Sequence, residues 1–237
     1  MEQDTKGSPR WPLLGIAAGV LSAAAFIGGT SVMGWDEGSN NVAEKLSDKY
    51  NQLILAQLAG WMALAALLVF GAGFYRLMQS RLPQSSMLGM VAGAAMLATV
   101  GAGIIGYGSM ASAADSLPGN RLYFFEVEDP DLPLDEQSFP AEVKSTAYYD
   151  ASNAICYAWI GVCAAAAATA VAVFRHKVFP RWIGFFSAFI GIIMTAFLVA
   201  GLPFGAAFWA PLWLIVMGIA LAVKAPAWSR EPAPALA

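Results

Sequence analysis

Few residues of this chain are of types that do chemistry, and their placement says most by what it leaves out. The one histidine, His176, stands between Arg175 and Lys177 in a short basic stretch, where an imidazole reads as a solvated interfacial group. Cys156 and Cys163 lie within one apolar block. On a helix their spacing is about 10 Å along the axis at ~1.5 Å per residue, whereas a disulfide needs a Cα separation under about 7 Å. They read as small packing residues, and no metal-binding cysteine pattern is present. No nucleophile elbow, phosphate loop or His-Glu-x-x-His occurs. No catalytic set, cofactor or metal is therefore expected.

Two other groups of residues are candidates for contacts. Inside the apolar blocks, Gln57, Asn153 and Tyr157 are the polar side chains hardest to dismiss, because a buried amide wants a partner. They fit either interhelical hydrogen bonds or contacts to a ligand. Thr30, Ser31, Thr99, Ser187 and Thr195 are scattered, and such hydroxyls commonly bond back to their own helix. Outside the blocks, Glu126, Glu128, Asp129, Asp131, Asp135 and Glu136 crowd one proline-containing stretch. They suit a basic partner or a cation, although the turn glycine and terminal glutamate of a calcium loop are absent. A solvated acidic loop that also enforces topology is the simpler account of them.

The elements that must position these residues are membrane helices. Of 237 residues, 58% are hydrophobic and 12% charged, about half the charged fraction of a soluble domain. The formal net charge of -3 leaves no basic field to attract nucleic acid. A spanning helix needs about 20 apolar residues. Six blocks qualify, approximately Pro12–Gly34, Gln52–Tyr75, Ser86–Gly108, Ala151–Phe174, Trp182–Leu202 and Ala206–Val223, and none contains Asp, Glu, Lys, Arg or His. The expected fold is all-α: a single membrane domain over 1–237 with six transmembrane helices. The first block is too long for a signal-peptide core and reads as a retained helix. A charge-free membrane interior argues against proton-coupled transport, pumping and embedded haem, which need ionisable groups or ligands at depth.

Orientation follows from the basic residues of short loops. Arg76 and Arg81 follow the second span, and Arg175, Lys177 and Arg181 lie between the fourth and fifth; neither link contains an acid. With Lys6, Arg10, Lys224 and Arg230 they mark one side, expected to be cytoplasmic and to hold both termini. The loop Ser109–Asp150 carries nine acidic residues against two basic ones, Arg121 and Lys144, and is expected outside. Trp11, Trp35, Trp182 and Trp228 fall at the predicted interfaces. The turn Gly201-Leu202-Pro203-Phe204-Gly205 forces the last two spans into an antiparallel hairpin. Residues 40–51 have the spacing of a short amphipathic helix leading into the second span.

Small residues at Gly15/Gly19, Gly89/Gly93, Gly101/Gly103/Gly106 and Ala164–Ala168 predict close helix contacts. These contacts fit packing within the chain or a homodimer. Val42–Leu77, closing on Phe-Tyr-Arg-Leu, and Phe174–Ile193, with Phe-Pro-Arg-Trp-Ile-Gly at 179–184, resemble a family of bacterial six-span membrane proteins of unknown function. That family often has Leu where Ile183 stands. The resemblance implies the six-span fold and a bacterial plasma (inner) membrane, and it transfers no site residues.

Together these features favour a non-catalytic scaffold or accessory subunit of a membrane assembly, surrounded by lipid. A protein partner would meet the acidic loop or a small-residue helix face. The alternative is a facilitator or exporter of a small neutral or apolar compound.

Overall fold

In the computed structural model the chain forms a bundle of long helices. The structure describes residues 10–33, 49–115 and 141–228, with side chains at 10–33, 49, 51–112 and 150–223. The helices are α1 (Trp11–Met33), α2 (Tyr50–Gln79), α3 (Leu88–Asp115), α4 (Ala141–Ala158), α5 (Ile160–His176), α6 (Arg181–Val199) and α7 (Pro203–Trp228). No strand occurs among the described residues. In hydrocarbon, a helix is what lets each segment satisfy its own backbone hydrogen bonds. Six stretches are long and apolar enough to cross a membrane, with α4 and α5 together supplying the fourth.

Every span also turns large apolar side chains outward. Ile27, Leu55, Ile105, Ile160, Ile192 and Val223, one from each span, are all more than half exposed. Water would penalise that surface at roughly 25 cal/mol per Å², whereas lipid does not.

Sequence neighbours are spatial neighbours, and the ring closes. α1 packs on α2, α2 on α3, α3 on α4 and α5, α5 on α6, α6 on α7, and α7 back on α1. α7 also reaches across to α4 and α5, so the fourth and last spans are the most enclosed. The α1–α7 pair is antiparallel along its whole length. A side chain on Gly218 would collide with Ile16 and the Pro12 carbonyl, and one on Gly19 with Ile215 and the Pro211 carbonyl; at the far end Phe26 meets Phe204. Pro211 leaves α7 unbroken.

These contacts assign the small residues. Gly15 receives the ring of Phe70 on α2, while Gly19 faces α7. Gly93 abuts Tyr75, Gly103 abuts Leu64 and Gly106 abuts Ile155, whereas Gly101 meets nothing. The small residues therefore join helices of one chain, on several different faces.

Three places differ in detail from the blocks read in the sequence. The helix of the third span runs on to Asp115 and α4 begins at Ala141, so the long loop between the third and fourth spans is helical at both ends. Its alanine-rich flanks, Met110–Ala114 and Ala141, are strong helix formers. The second span is longer than expected, and at ~1.5 Å per residue its helix exceeds a ~30 Å hydrocarbon core. The fourth span is interrupted at Trp159, whose N–H reaches the Cys156 carbonyl at 3.4 Å while normal spacing resumes with Cys163 N–H on the Trp159 carbonyl at 3.0 Å. Just beyond lies Gly161, pressed against the Ala95 carbonyl and the Thr99 hydroxyl of α3. The acidic stretch 126–136 and most of the amphipathic segment 40–51 lie outside the described residues.

One end of the bundle is basic. Trp11 packs against Gly73, which brings the start of α1 to the end of α2. Arg81 donates to the Val178 carbonyl at 3.0 Å and lies over the Phe179 ring at 5.9 Å, joining the link 80–87 to the link 177–180. Arg10, Arg76, Arg81, Arg175, Lys177 and Arg181 thus share this end. Lys177 closes α5 in the left-handed conformation, φ 55°, and Gly201 turns α6 into α7 at φ 72°.

Candidate functional site

At the basic half the interior is filled by rings. Trp11, Phe70, Phe74 and Phe179 follow one another at centroid separations of 5.7, 5.8 and 6.1 Å, and Trp213 meets Phe74 edge-on at 6.0 Å. Such offset and edge contacts add roughly 0.5–1.5 kcal/mol per pair beyond area burial. Trp213 is fully buried, and its indole N–H donates to Ser187 Oγ at 3.0 Å.

The other half holds a small, mainly apolar cavity of about 30 Å³ with a few hydroxyls in its wall. It is bounded by Ser22 and Thr30 of α1, Ala56 of α2, Tyr107 of α3, and Ser152, Cys156 and Trp159 at the α4 break. Tyr107 reaches it because Gly60 has no side chain: a methyl there would fall on the phenol ring. Thr30 spends its hydroxyl on the Phe26 carbonyl at 2.8 Å. The space suits about one water molecule, which needs two to four polar partners.

Gln57 sits one residue from Ala56, on the α2 stripe that continues through Gly60 and Leu64. It is 5% exposed, and its Nε2 has no hydrogen-bond partner among the described residues. Asn153 is half-buried and Tyr157 is 46% exposed. Neither lines the cavity; their neighbours Ser152 and Cys156 do. Of the three polar residues prominent in the sequence, then, Gln57 is in the core and Tyr157 is directed outward.

Ser22, Tyr107 and Ser152 do not stand out in the sequence. Their signal is faint because a helix that is apolar all round carries no stripe to show which face is inward. Both cysteines are free and buried. Cys163 contacts Thr195 Oγ1 at 3.3 Å and the Gly191 carbonyl at 3.5 Å, a helix-packing contact between α5 and α6.

The hydroxyls and one thiol at this cavity can hold a water or a small neutral hydrogen-bonding group. They include no acid–base pair. Among the described residues no group of three His, Cys, Asp or Glu side chains is placed to hold a metal.

Architecture and surface define the class: a multi-pass membrane protein built as a six-span helical bundle. No family model, curated protein or solved structure matches the chain.

Proposed function

We propose that this protein is a non-catalytic scaffold or accessory subunit of a membrane assembly, seated in a bacterial plasma membrane with its basic end in the cytoplasm. The observation that carries the reading is the closed interior. Between the spans, the small cavity has room for about one water, and large side chains such as Phe70, Phe74, Trp213 and Met217 are buried in the centre. A carrier or exporter would need a passage at the midplane. The larger recesses instead open outward, between α2 and α3 and between α5 and α6. The six cations at one end support the orientation through the positive-inside bias.

A second reading, a facilitator or exporter of a small neutral or apolar compound, draws on one feature only, the buried Gln57 Nε2 that has no partner among the described residues.

The test is a mass-spectrometric inventory of what co-purifies when the protein is extracted directly into lipid nanodiscs. The scaffold reading expects a stoichiometric protein partner. Exchanging Glu126, Glu128, Asp129, Asp131, Asp135 and Glu136 for amides should release that partner if the acidic loop is its contact. Recovery of a stoichiometric small molecule with no protein partner, displaced by Gln57→Leu, would replace the scaffold with the facilitator.

A further inference from the structure

The outward recess between α2 and α3 lies at the basic end. It has a volume of about 270 Å³ and is walled by Leu68, Ala72, Gly93, Ala94 and Leu97, with Tyr75 at its mouth. Leu68, Ala72, Ala94 and Leu97 are all exposed, so the groove opens directly to hydrocarbon. Small side chains keep it open, and at Gly93 even a Cβ would stand 3.0 Å from that of Tyr75.

Its length and depth fit one leaflet. From Leu67 to Tyr75 the helix rises ~12 Å at ~1.5 Å per residue, against ~15 Å for half of a ~30 Å hydrocarbon core. The mouth is at the interface, because Trp11 packs on Gly73 and tryptophan marks the headgroup level.

Arg76 lies one helical turn beyond Ala72 on α2, at the headgroup end of the groove and on its flank, within reach of a long side chain. Its side chain is exposed. No acidic residue occurs anywhere from 76 to 90, and the other cation of this link, Arg81, is directed to Val178 and Phe179.

We infer that this groove binds an acyl chain of an anionic glycerophospholipid, with its phosphate paired to the Arg76 guanidinium. A groove facing hydrocarbon is filled by a chain, and guanidinium pairs with phosphate in a two-pronged geometry. A zwitterionic lipid brings its own compensating cation, so the net attraction at this site selects the anionic one.

The test is native mass spectrometry of the full chain released from nanodiscs holding equal phosphatidylglycerol and phosphatidylcholine. One retained phosphatidylglycerol per chain is expected in the wild type. Arg76→Gln should lower its retention by about fivefold, the factor one interfacial cation supplies. Ala94→Phe, which fills the groove from its exposed side, should abolish it, and Arg175→Gln, at the same end but away from the groove, should leave it unchanged. Equal retention of both lipids, an equal loss with Arg175→Gln, or wild-type retention by Ala94→Phe would each overturn the assignment. So would a chain dimer that Ala94→Phe dissolves without any lipid preference. The thermal midpoint in lipid-free detergent, unchanged in all three variants, separates these outcomes from misfolding.

Discussion

Trp213 of α7 donates its indole N–H to Ser187 Oγ of α6 at 3.0 Å, and both side chains are completely buried. The bond ties the last hairpin together beside the aromatic stack. Interhelical hydrogen bonds in membrane proteins contribute only about 0.6 kcal/mol on average, up to about 1.7, whereas truncating a buried tryptophan leaves a cavity costing about 3–5 kcal/mol. Packing should therefore outweigh the bond. Ser187→Ala is expected to lower stability by about 1 kcal/mol and Trp213→Ala by about three times as much. Equilibrium unfolding in mixed micelles checks the order, and equal losses would mean that the bond dominates.

The glycines should separate by what their missing side chains face. A Cβ on Gly161 would strike the Ala95 backbone carbonyl, which cannot turn aside, while one on Gly101 meets nothing within 4 Å. Gly161→Ala is expected to cost about 1–3 kcal/mol. Gly101→Ala should be neutral or stabilising by up to about 1 kcal/mol, since alanine is the better helix former. Thermal midpoints of the two variants, measured side by side in one detergent, decide this; a Gly161→Ala protein as stable as wild type would show that α3 and α5 are further apart.

Gln57 distinguishes a packing residue from a ligand contact. Its buried Nε2 lacks a partner among the described residues, and an unsatisfied polar group costs about 1–3 kcal/mol. If nothing binds there, Gln57→Leu should raise the unfolding free energy by about 1 kcal/mol. A clear destabilisation would reveal that the amide holds a water or ligand in the folded protein, which unfolding titrations of the purified variant would register directly.

Arg81 fastens the two links of the basic end through the Val178 carbonyl and the Phe179 ring. Lysine keeps the charge but loses the planar fork. Arg81→Gln is expected to cost about 1–2 kcal/mol, and Arg81→Lys to recover only part of that. Hydrogen exchange of residues 177–180 should accelerate in both variants; exchange unchanged from wild type would show that the links are held independently.

Thiol labelling tests the topology. Cys156 and Cys163 are buried and should not react with a charged maleimide in intact cells. A cysteine at exposed Ser80, in the basic link, should stay unlabelled until the membrane is opened, whereas one at Leu202, in the opposite turn, should label from outside. The reverse pattern would invert the proposed orientation.

The number of spans, their approximate limits and the charge asymmetry of the links were legible in the sequence, because each depends on local composition. About 20 apolar residues must cross, and Arg76, Arg175 or Lys177 cannot lie at the centre. The tight turn at Gly201 was legible for the same reason, through glycine followed by Pro203.

Which face each helix turns inward was decided only by the tertiary structure. Gly15 and Gly19 form one small-residue pair in the sequence, yet one receives Phe70 of α2 and the other Ile215 of α7. Asn153 and Tyr157 stand out in the sequence among the polar side chains of the fourth span, yet packing places their neighbours Ser152 and Cys156 at the cavity. The interruption at Trp159, beside the close crossing of Gly161 and Ala95, has no composition to announce it. The physical reason is common to all three. In lipid the outward and inward faces are equally apolar, so the segregation that reveals the buried face of a water-soluble helix is missing, and the choice falls to steric fit between helices distant in sequence.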